Sequence, residues 1–409
     1  MSNLLGKYGL PLKVVFCKKC TQNNQRPSST IEFKQTEKKQ KKVLAFGKDG
    51  ICDACRYAEL KKSINWDDRH KELEGLCNRF RRKDGRYDVI IPGSGGKDSV
   101  QAALKLKNEF DMNPILITWP PAIYTEIGKR NFDAWLDTGC GNYTFNQNKK
   151  LHRLLTKEAF LNLGHPFQPF ILGQKNFAPR LSTILDIPLV VYGENEAEYG
   201  NAIDENQKPT RDLKYFSSDL SLKDLVIGGV PAEELISKYG FNLSDLNTYL
   251  PVNPNEIEKT GTEVHYLGYY IKWHPQETYY YSVENSNFMP NDQRTEGSFS
   301  KYSSLDDKFD WLNFHTMMIK FGIGRATNDT AQEIRNGDLT RDEGISLVRR
   351  FDGEFPDLYL EDCCNYMGIT LQTYYDTIEK LRSDHLWQKI NGIWELKKPI
   401  WKENYHEKY

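Results

Sequence analysis

The stretch that decides the fold class is residues 87–99, which read YDVIIPGSGGKDS. Its first half contains Val89, Ile90 and Ile91, a β-branched run typical of a buried strand. A glycine-rich turn follows, and residues 100–110 then carry a helical pattern. Glycines let backbone amides face a ligand, and a helix N-terminus offers free N–H groups to an anion. The stretch therefore predicts a strand, a turn and a helix that together bind phosphate.

The candidate phosphate-binding residues are Ser94, Gly95, Gly96, Lys97, Asp98 and Ser99. The serines add hydroxyl donors, and Lys97 adds a positive charge. Asp98 would repel a bare phosphate, so we expect it to bind Mg²⁺ that neutralises a pyrophosphate. The spacing does not fit a Walker A loop. The alternative interpretation is a plain glycine-rich turn between a strand and a helix.

Short β-rich runs recur after this turn, at residues 115–119, 143–145 and 187–192, with helical patterns such as residues 151–163 between them. Strands that alternate with helices predict an α/β fold with a doubly wound parallel sheet. Ligands bind such a sheet at the carboxyl ends of its strands, near the point where the strand order reverses. We therefore expect the glycine-rich turn to lie at that point.

A second polar segment, residues 193–200, reads GENEAEYG and follows the last of these runs. Crowded carboxylates shift one another's pKa values and suit metal, cation or ammonia handling. We expect Glu194 and Glu198 to take catalytic roles at the same sheet edge. The alternative interpretation is an exposed acidic loop.

Two C-x-x-C pairs account for four of the eight cysteines: Cys17, Cys20, Cys52 and Cys55. Four thiolates in two such turns complete a tetrahedral zinc shell, so we expect a closed, structural zinc site. A redox or iron–sulfur site is the alternative.

Composition limits the class of protein and the partners. The 409 residues carry a formal net charge of −1, with no basic excess of the kind found in nucleic-acid-binding proteins. No apolar run is long enough for a membrane span, and we expect a cytoplasmic protein. Three regions are predicted: a zinc ribbon with a linker helix at 1–85, an α/β domain at 86–265 with an insertion from about 200, and a mostly helical region at 266–409.

Residues 94–99 resemble the SGGxDS signature of the PP-loop ATP pyrophosphatases. This resemblance implies a HUP-type doubly wound sheet that binds ATP, transfers AMP to a carbonyl oxygen and releases pyrophosphate.

The wider chain resembles the N-acetyl sugar amidotransferases of the WbpG/PseA group, through the cysteine pairs, the phosphate loop and residues 50–57, 193–200, 294–302 and 320–329. The resemblance implies adenylylation of the N-acetyl carbonyl of a surface-glycan sugar precursor, nucleotide-linked or free. Ammonia then displaces AMP to leave an acetamidino group. It also implies ATP, Mg²⁺ and Zn²⁺ as cofactors, and a separate glutaminase with a barrel-type ammonia-delivering partner.

Residue roles follow from the same resemblance. Lys97, Asp98, Glu194 and Glu198 would be catalytic, and Trp119 would join the phosphate loop in binding ATP. The substrate contacts would be Asn195, Arg294, Glu296, Lys301 and Arg325.

Two other classes remain open. A PP-loop tRNA-modifying enzyme, a thiolase or an amide- or lysidine-type ligase, would need a basic face, and a thiolase would also need a persulfide cysteine, for which only Cys140 is a candidate. A non-catalytic zinc-ribbon module would not need the intact Lys97, Asp98 and Ser99.

Overall fold

The fold is built around one five-stranded parallel sheet in a computed structural model that describes residues 5–28, 40–199 and 207–403. The sheet order is β3-β2-β1-β4-β7, and every neighbouring pair is parallel. The strands of the described residues are β1 Val89–Pro92, β2 Pro114–Thr118, β3 Gly141–Thr144, β4 Leu189–Tyr192, β5 Val226–Ile227, β6 Val230–Pro231, β7 Glu263–Tyr266, β8 Trp387–Ile390 and β9 Ile393–Leu396.

The helices of the described residues are α1 Asp53–Lys61, α2 Trp66–Phe80, α3 Lys97–Asn108, α4 Glu126–Leu136, α5 Lys149–Leu163, α6 Gln168–Leu185, α7 Ala232–Ser237, α8 Leu243–Leu246, α9 Pro254–Thr260, α10 Leu267–Tyr270, α11 Pro275–Asn285, α12 Phe309–Phe321, α13 Arg325–Asn336, α14 Arg341–Phe351, α15 Leu360–Met367 and α16 Leu371–Leu381. Short 3₁₀ turns lie at Lys7–Gly9, Glu196–Tyr199, Leu213–Tyr215, Asn247–Tyr249 and Ile400–Lys402.

Helices cover both faces of the sheet. Successive residues of a strand point to opposite faces, so neighbouring residues of β1 pack against different helices. Val89 and Ile91 pack in one apolar cluster with α2, α3 and α4. Ile90 packs in the other cluster, with α5 and α6. A strand buried on both faces reads as a continuous apolar run, which is why the β-branched signal in β1 is strong. The predicted doubly wound parallel sheet is confirmed.

The strand order reverses between β1 and β4. From β1 the chain moves outward to β2 and β3, and it then returns to β4 on the other side of β1. Ile90 is therefore paired with Ile115 on one side and Val190 on the other. The carboxyl ends of β1 and β4 border a crevice at this reversal, where ligands of such sheets bind.

The four predicted β-rich runs are strands, with ends shifted by one or two residues. The fifth strand, β7, lies at the end of the segment interpreted from sequence as an insertion or lid. Its four residues, Glu263 to Tyr266, pair with Leu189 to Tyr192. A strand this short, with a glutamate and a histidine in it, is formed by its pairing with β4 rather than by its own composition. Residues 200–206, where the insertion was expected to begin, lie outside the described residues.

The C-terminal part is mostly helical in the described residues, running from α12 to α16 before the β8–β9 hairpin. A capping box starts α14: Thr340 accepts from the backbone of Glu343, and the Glu343 side chain accepts in return. In the part of the chain that the structure describes, every helix is too short or too polar to cross a membrane.

Candidate active site

The phosphate loop joins β1 to α3 as predicted, and the geometry requires glycine at position 95. Gly96 is the N-cap of α3, so the helix begins at Lys97. Gly95 has φ +95°, and a Cβ there would lie 2.3 Å from the backbone oxygen of Asn131. Only glycine fits this position without a shift of α4. The free N–H groups of the first turn of α3 therefore face the crevice at the strand ends.

A cleft opens from this loop; we call it the first cleft. One side is the loop, and the other is formed by apolar side chains that include Trp119, Phe177 and Tyr192. Trp119 directly follows β2 and stacks on Phe145 at 5.1 Å between ring centroids. Its buried indole N–H has no hydrogen-bond partner among the described residues. The cleft thus offers anion-binding amides at one end and aromatic walls at the other.

Asp98 is held from two directions. Lys97 Nζ lies 2.7 Å from Asp98 Oδ2, and Trp273 Nε1 donates to Oδ1 at 2.7 Å. The Lys97 ammonium also lies 5.3 Å from the centre of the Trp273 ring. These three side chains form one fixed polar group, although Trp273 follows Asp98 by 175 positions in the chain.

Each of the two loop serines donates a hydrogen bond, Ser94 to a residue far along the chain and Ser99 within the loop. Ser94 Oγ donates to Asp306 Oδ2 at 2.6 Å, and Ser99 Oγ donates to the Gly96 carbonyl at 2.8 Å. Burial raises the pKa of Asp306 even though the Ser94 hydroxyl lowers it. Ser99 therefore stabilises the start of α3, whereas Ser94 links the loop to the C-terminal half of the chain.

Glu194 follows β4 and lies in the first cleft with Asp98. The end of β4 touches the start of α3, since a Cβ on Gly193 would lie 2.2 Å from the Asp98 carbonyl oxygen. Burial, followed by the negative charge of Asp98, raises the pKa of Glu194 to about 7. Two carboxylates in this arrangement suit a shared cation, or a proton that exchanges near neutral pH.

Glu198 and Asn195, the other predicted residues of this segment, are both buried. Glu198 is 2% exposed and forms an ion pair with Lys61, Oε1 to Nζ 2.6 Å. Asn195 is 1% exposed, and its side-chain amide donates to the Tyr57 hydroxyl at 2.9 Å. These contacts tie the segment to α1. Gly200, the last residue of the motif, lies outside the described residues.

The predicted substrate contacts from the C-terminal region are spread over different surroundings. Arg294 is paired with Glu354, Nη1 to Oε2 2.7 Å, and Glu296 accepts from the backbone N–H of Leu358. Lys301 is exposed and donates to the Asp292 carbonyl. Of the four, Arg325 alone lines a large cavity that reaches the phosphate loop.

That cavity, which we call the second cavity, is the larger of the two spaces. It shares Gly96 and Asp98 with the first cleft, so the two spaces meet at the loop. Its walls carry a set of cationic side chains, namely Lys97, Arg26, Arg325 and Arg335. The start of α3 therefore separates a cleft with aromatic and acidic walls from a cavity with cationic side chains.

The four predicted zinc ligands are brought together. Cys17, Cys20, Cys52 and Cys55 are buried, and their sulfur atoms all lie within 4.8 Å of one another. Cys17 Sγ is 3.8 Å from Cys55 Sγ, and Cys20 Sγ is 3.7 Å from Cys52 Sγ. A tetrahedral zinc ion with Zn–S bonds of about 2.3 Å sets its sulfurs about 3.8 Å apart. The four cysteines fit a closed zinc site with no position left for a substrate.

This cysteine cluster packs against the C-terminal half of the chain. Thr21 donates to the Thr327 carbonyl at 3.0 Å, and Gln22 donates to Asn328 at 2.8 Å. Ala331 of α13 joins the apolar contacts around the four sulfurs. The cluster therefore fixes the chain around residues 21–26 against α13.

Sequence reasoning missed Asp306, Arg26 and Arg335, and it did not link Trp273 to Asp98. Each lies far along the chain from the motif it supports and stands in no motif of its own. A tryptophan just before the helix-starting Pro275, and an arginine shortly after a cysteine pair, are weak signals by themselves. Tertiary contact alone identifies these residues.

Comparison with known proteins gives two findings. Residues 296–400, about a quarter of the chain, match the family model described as LPS biosynthesis protein WbpG-like, C-terminal domain. Over 79 residues the chain is 35% identical to the uncharacterized protein MJ1599 of Methanocaldococcus jannaschii. The aligned residues cover 19% of this chain and 28% of that protein. The alignment thus spans less than a third of that relative. The family match supports a WbpG-like group and points to lipopolysaccharide biosynthesis, and its segment includes Arg325 and Arg335 of the second cavity.

Proposed function

We propose that this chain is a PP-loop ATP pyrophosphatase with a HUP-type sheet that acts in surface-glycan biosynthesis. In the proposed reaction it adenylylates the N-acetyl carbonyl of a sugar precursor, and ammonia then replaces AMP to leave an acetamidino group. The observation that carries the proposal is the loop Ser94–Ser99 at the strand-order reversal, between the first cleft and the second cavity. The WbpG-like match supports the pathway.

The two spaces suit two substrates. In the first cleft, the aromatic walls at Trp119 and Phe177 suit an adenine, and the amides of the loop suit the phosphates. In the second cavity, a sugar precursor would approach the same loop from the other side. Such a placement sets a carbonyl oxygen against the α-phosphorus, which a weak amide nucleophile requires.

Asp98 is the residue that would hold Mg²⁺, and Glu194 is its neighbour. Among residues 5–28, 40–199 and 207–403, no third histidine, cysteine or carboxylate joins them in a metal-binding group. Mg²⁺ usually takes one or two carboxylates and completes its shell with water and phosphate oxygens, so Asp98 alone is sufficient and Glu194 stays free. Bound there, the ion would neutralise negative charge on the leaving pyrophosphate, together with Lys97.

The bond changes balance without an external oxidant. The amide oxygen forms a bond to the α-phosphorus, and the bond from that phosphorus to the β-bridging oxygen breaks with pyrophosphate leaving. Ammonia then adds to the activated carbon, and the carbon–oxygen bond breaks as AMP leaves with the oxygen. One proton is lost from the added nitrogen. Glu194, with a pKa near 7, is the group suited to accept it.

Ammonia is expected to come from another protein. None of the eight cysteines lines the first cleft or the second cavity, so neither space holds a glutaminase nucleophile. We therefore propose a separate glutaminase and a barrel-type partner that deliver ammonia. Delivery in a closed complex would keep the nucleophile unprotonated and away from water.

A tRNA thiolase is the main alternative, and the position of Cys140 argues against it. Cys140 directly precedes β3, so it lies at the amino end of a parallel strand. The phosphate loop lies at the carboxyl ends, on the opposite edge of the sheet. A persulfide on Cys140 would not reach a nucleotide bound at the loop.

The test is turnover of N-acetylated nucleotide sugars with ATP, Mg²⁺ and an ammonium salt, followed by mass spectrometry. Replacement of oxygen by NH lowers the sugar mass by about one unit, and AMP should form in equal amount. Lys97→Ala should abolish both products, whereas Lys105→Ala, on the same helix but outside both spaces, should keep them. Formation of ADP and orthophosphate would contradict the proposal.

A further inference from the structure

We propose that Arg26 and Arg335 form an oxyanion site in the second cavity, which binds a phosphate or carboxylate group of the acceptor. The identification of this ligand as the acceptor rests on the proposed function. The binding of an oxyanion at these two arginines does not depend on it. Both guanidinium groups line the cavity, one from the segment after the first cysteine pair and one from α13.

The first support is a set of buried N–H groups without acceptors. In the described residues, Arg26 Nη1 and the Nε and Nη1 atoms of Arg335 are buried and make no hydrogen bond. Arg335 uses Nη2 alone, which donates to the Glu198 carbonyl at 2.7 Å. An unpaired buried donor costs about 1–3 kcal/mol, more when it is charged, so three of them together call for a ligand.

The second support is that both side chains carry a positive charge. Burial, followed by the positive charge of Arg335, lowers the pKa of Arg26 to about 10. Both groups therefore stay cationic at neutral pH while they repel each other. The cysteine cluster and Glu198 lie close enough to offset part of this charge. They accept no hydrogen bond from the three free nitrogen atoms.

The third support is that, among the residues the structure describes, each carboxylate that lines the cavity already has another partner. Asp98 binds Lys97 and Trp273. Glu198 binds Lys61, and Asp329 lies 2.8 Å from Arg325 Nε. The described carboxylates of the cavity thus leave Arg26 and Arg335 to another anion.

The chemistry of the pair selects oxyanions. Guanidinium groups donate in a planar fork that matches the oxygen pairs of carboxylates and phosphates. A phosphate of a nucleotide-linked sugar and the carboxylate of a sugar acid would both fit this description. The pair is placed in the cavity that also contains Lys97 and Asp98, so it would fix the acceptor's orientation toward the loop.

The experiment is calorimetric titration of the full-length, zinc-loaded protein with four probes. UDP-N-acetylglucosamine supplies the phosphate source and N-acetylneuraminate the carboxylate source. N-acetylglucosamine is the neutral comparison, and inorganic pyrophosphate represents the leaving group of ATP. We expect at least one anionic sugar to bind clearly more tightly than the neutral sugar, and which one does so identifies the source.

The variants are Arg26→Gln and Arg335→Gln, with Arg349→Gln, exposed on α14, as the matched control. Each of the first two should raise the Kd of the anionic sugar at least about tenfold, as expected for loss of a charge-assisted hydrogen bond, and leave the Kd of ATP unchanged. Zinc content and melting temperature report whether each variant folds. If Arg335→Gln does not fold, Arg335→Lys, which keeps the charge but loses the fork, should weaken binding severalfold.

Three results would overturn the inference: failure of both anionic sugars to bind the wild-type protein at millimolar concentration, unchanged binding in both variants, or weakening confined to pyrophosphate. Failure of the proposed function looks different. If no acetamidino product forms while arginine-dependent binding of an anionic sugar persists, the oxyanion site stands and the reaction does not. If product forms and Arg26→Gln leaves the acceptor KM unchanged, the reaction stands and the site does not.

Discussion

Trp273 donates its indole N–H to Asp98 Oδ1 at 2.7 Å, on the side of the carboxylate opposite Lys97. The indole is 4% exposed, so this bond is shielded from water. An aspartate held at both oxygens has one orientation, and that orientation decides where a bound cation would sit. The relationship makes Trp273 a positioning residue for the phosphate loop.

Trp273→Phe should lower the rate of ATP-dependent AMP formation by about tenfold to a hundredfold, because loss of a partner that orients a metal ligand has effects of this size. The ring is kept, so the melting temperature should change little. The control is Trp394→Phe on the remote β8–β9 hairpin, which removes an indole hydrogen bond to Glu379. Equal activity in the two variants would show that the Asp98 bond has no part in the reaction. Rising Mg²⁺ should partly restore the rate of Trp273→Phe.

The adjacent glycines of the loop should respond differently to alanine. Gly95→Ala puts a Cβ on a left-handed residue, 2.3 Å from the Asn131 oxygen, and should destabilise the protein by roughly 1–3 kcal/mol. At Gly96 φ is −70° and a Cβ would meet no atom within 4 Å. Gly96→Ala should therefore fold normally but bind ATP more weakly, since the methyl group would enter the space for the phosphates. Thermal melting and nucleotide titration separate the two effects. Wild-type affinity in Gly96→Ala would mean that the phosphates lie elsewhere.

Glu194 should make the stability of the ligand-free protein depend on pH. Its pKa is about 7 in the fold against 4.5 for the ordinary side chain, so the folded state holds the proton more tightly. The stabilisation is present below about pH 4.5 and is lost as the pH rises through 7. Relative to wild type, Glu194→Gln should gain a few degrees in melting temperature between pH 5 and 8. Glu284→Gln, on the exposed face of α11, should run parallel to wild type. A constant difference between Glu194→Gln and wild type across this range would contradict the assignment.

Zinc content should follow the cysteine cluster alone. Wild-type protein and Cys77→Ala, which changes a buried cysteine outside the cluster, should each carry one zinc ion per chain by elemental analysis. Cys52→Ala should lose most of it and melt at a lower temperature, because metal binding contributes folding free energy. Since the cluster positions the segment that carries Arg26, this variant should also bind anionic sugars more weakly. Full zinc content in Cys52→Ala would show that the four cysteines are not the ligands.

Much of the fold could be predicted because it is encoded locally. The β-branched run at Val89 to Ile91 is buried on both faces, so its composition shows the strand directly. The Thr340 and Glu343 capping box marks a helix start by its own hydrogen bonds. Strand β7 escaped prediction because its four residues become a strand only through pairing with β4.

The candidate site divides in the same way. The phosphate loop and the four cysteines could be identified because each motif holds its own chemistry within a few residues. Glu198 and Asn195 share the motif of Glu194, but the fold turns them toward Lys61 and Tyr57. Glu194 lines the first cleft and Glu198 the second cavity, so residues of one short motif have different surroundings.

By itself, the sequence determined the parallel α/β class, the glycine-rich turn between strand and helix, and the four-cysteine cluster, because each depends on spacing over a few residues. The tertiary structure alone decided which distant side chains complete them: Trp273 on Asp98, Asp306 on Ser94, and Arg26 with Arg335 in the lining of the second cavity. The physical reason is that hydrogen bonds and charge pairs act over a few ångströms. Only chain folding brings residues that are hundreds of positions apart to that distance.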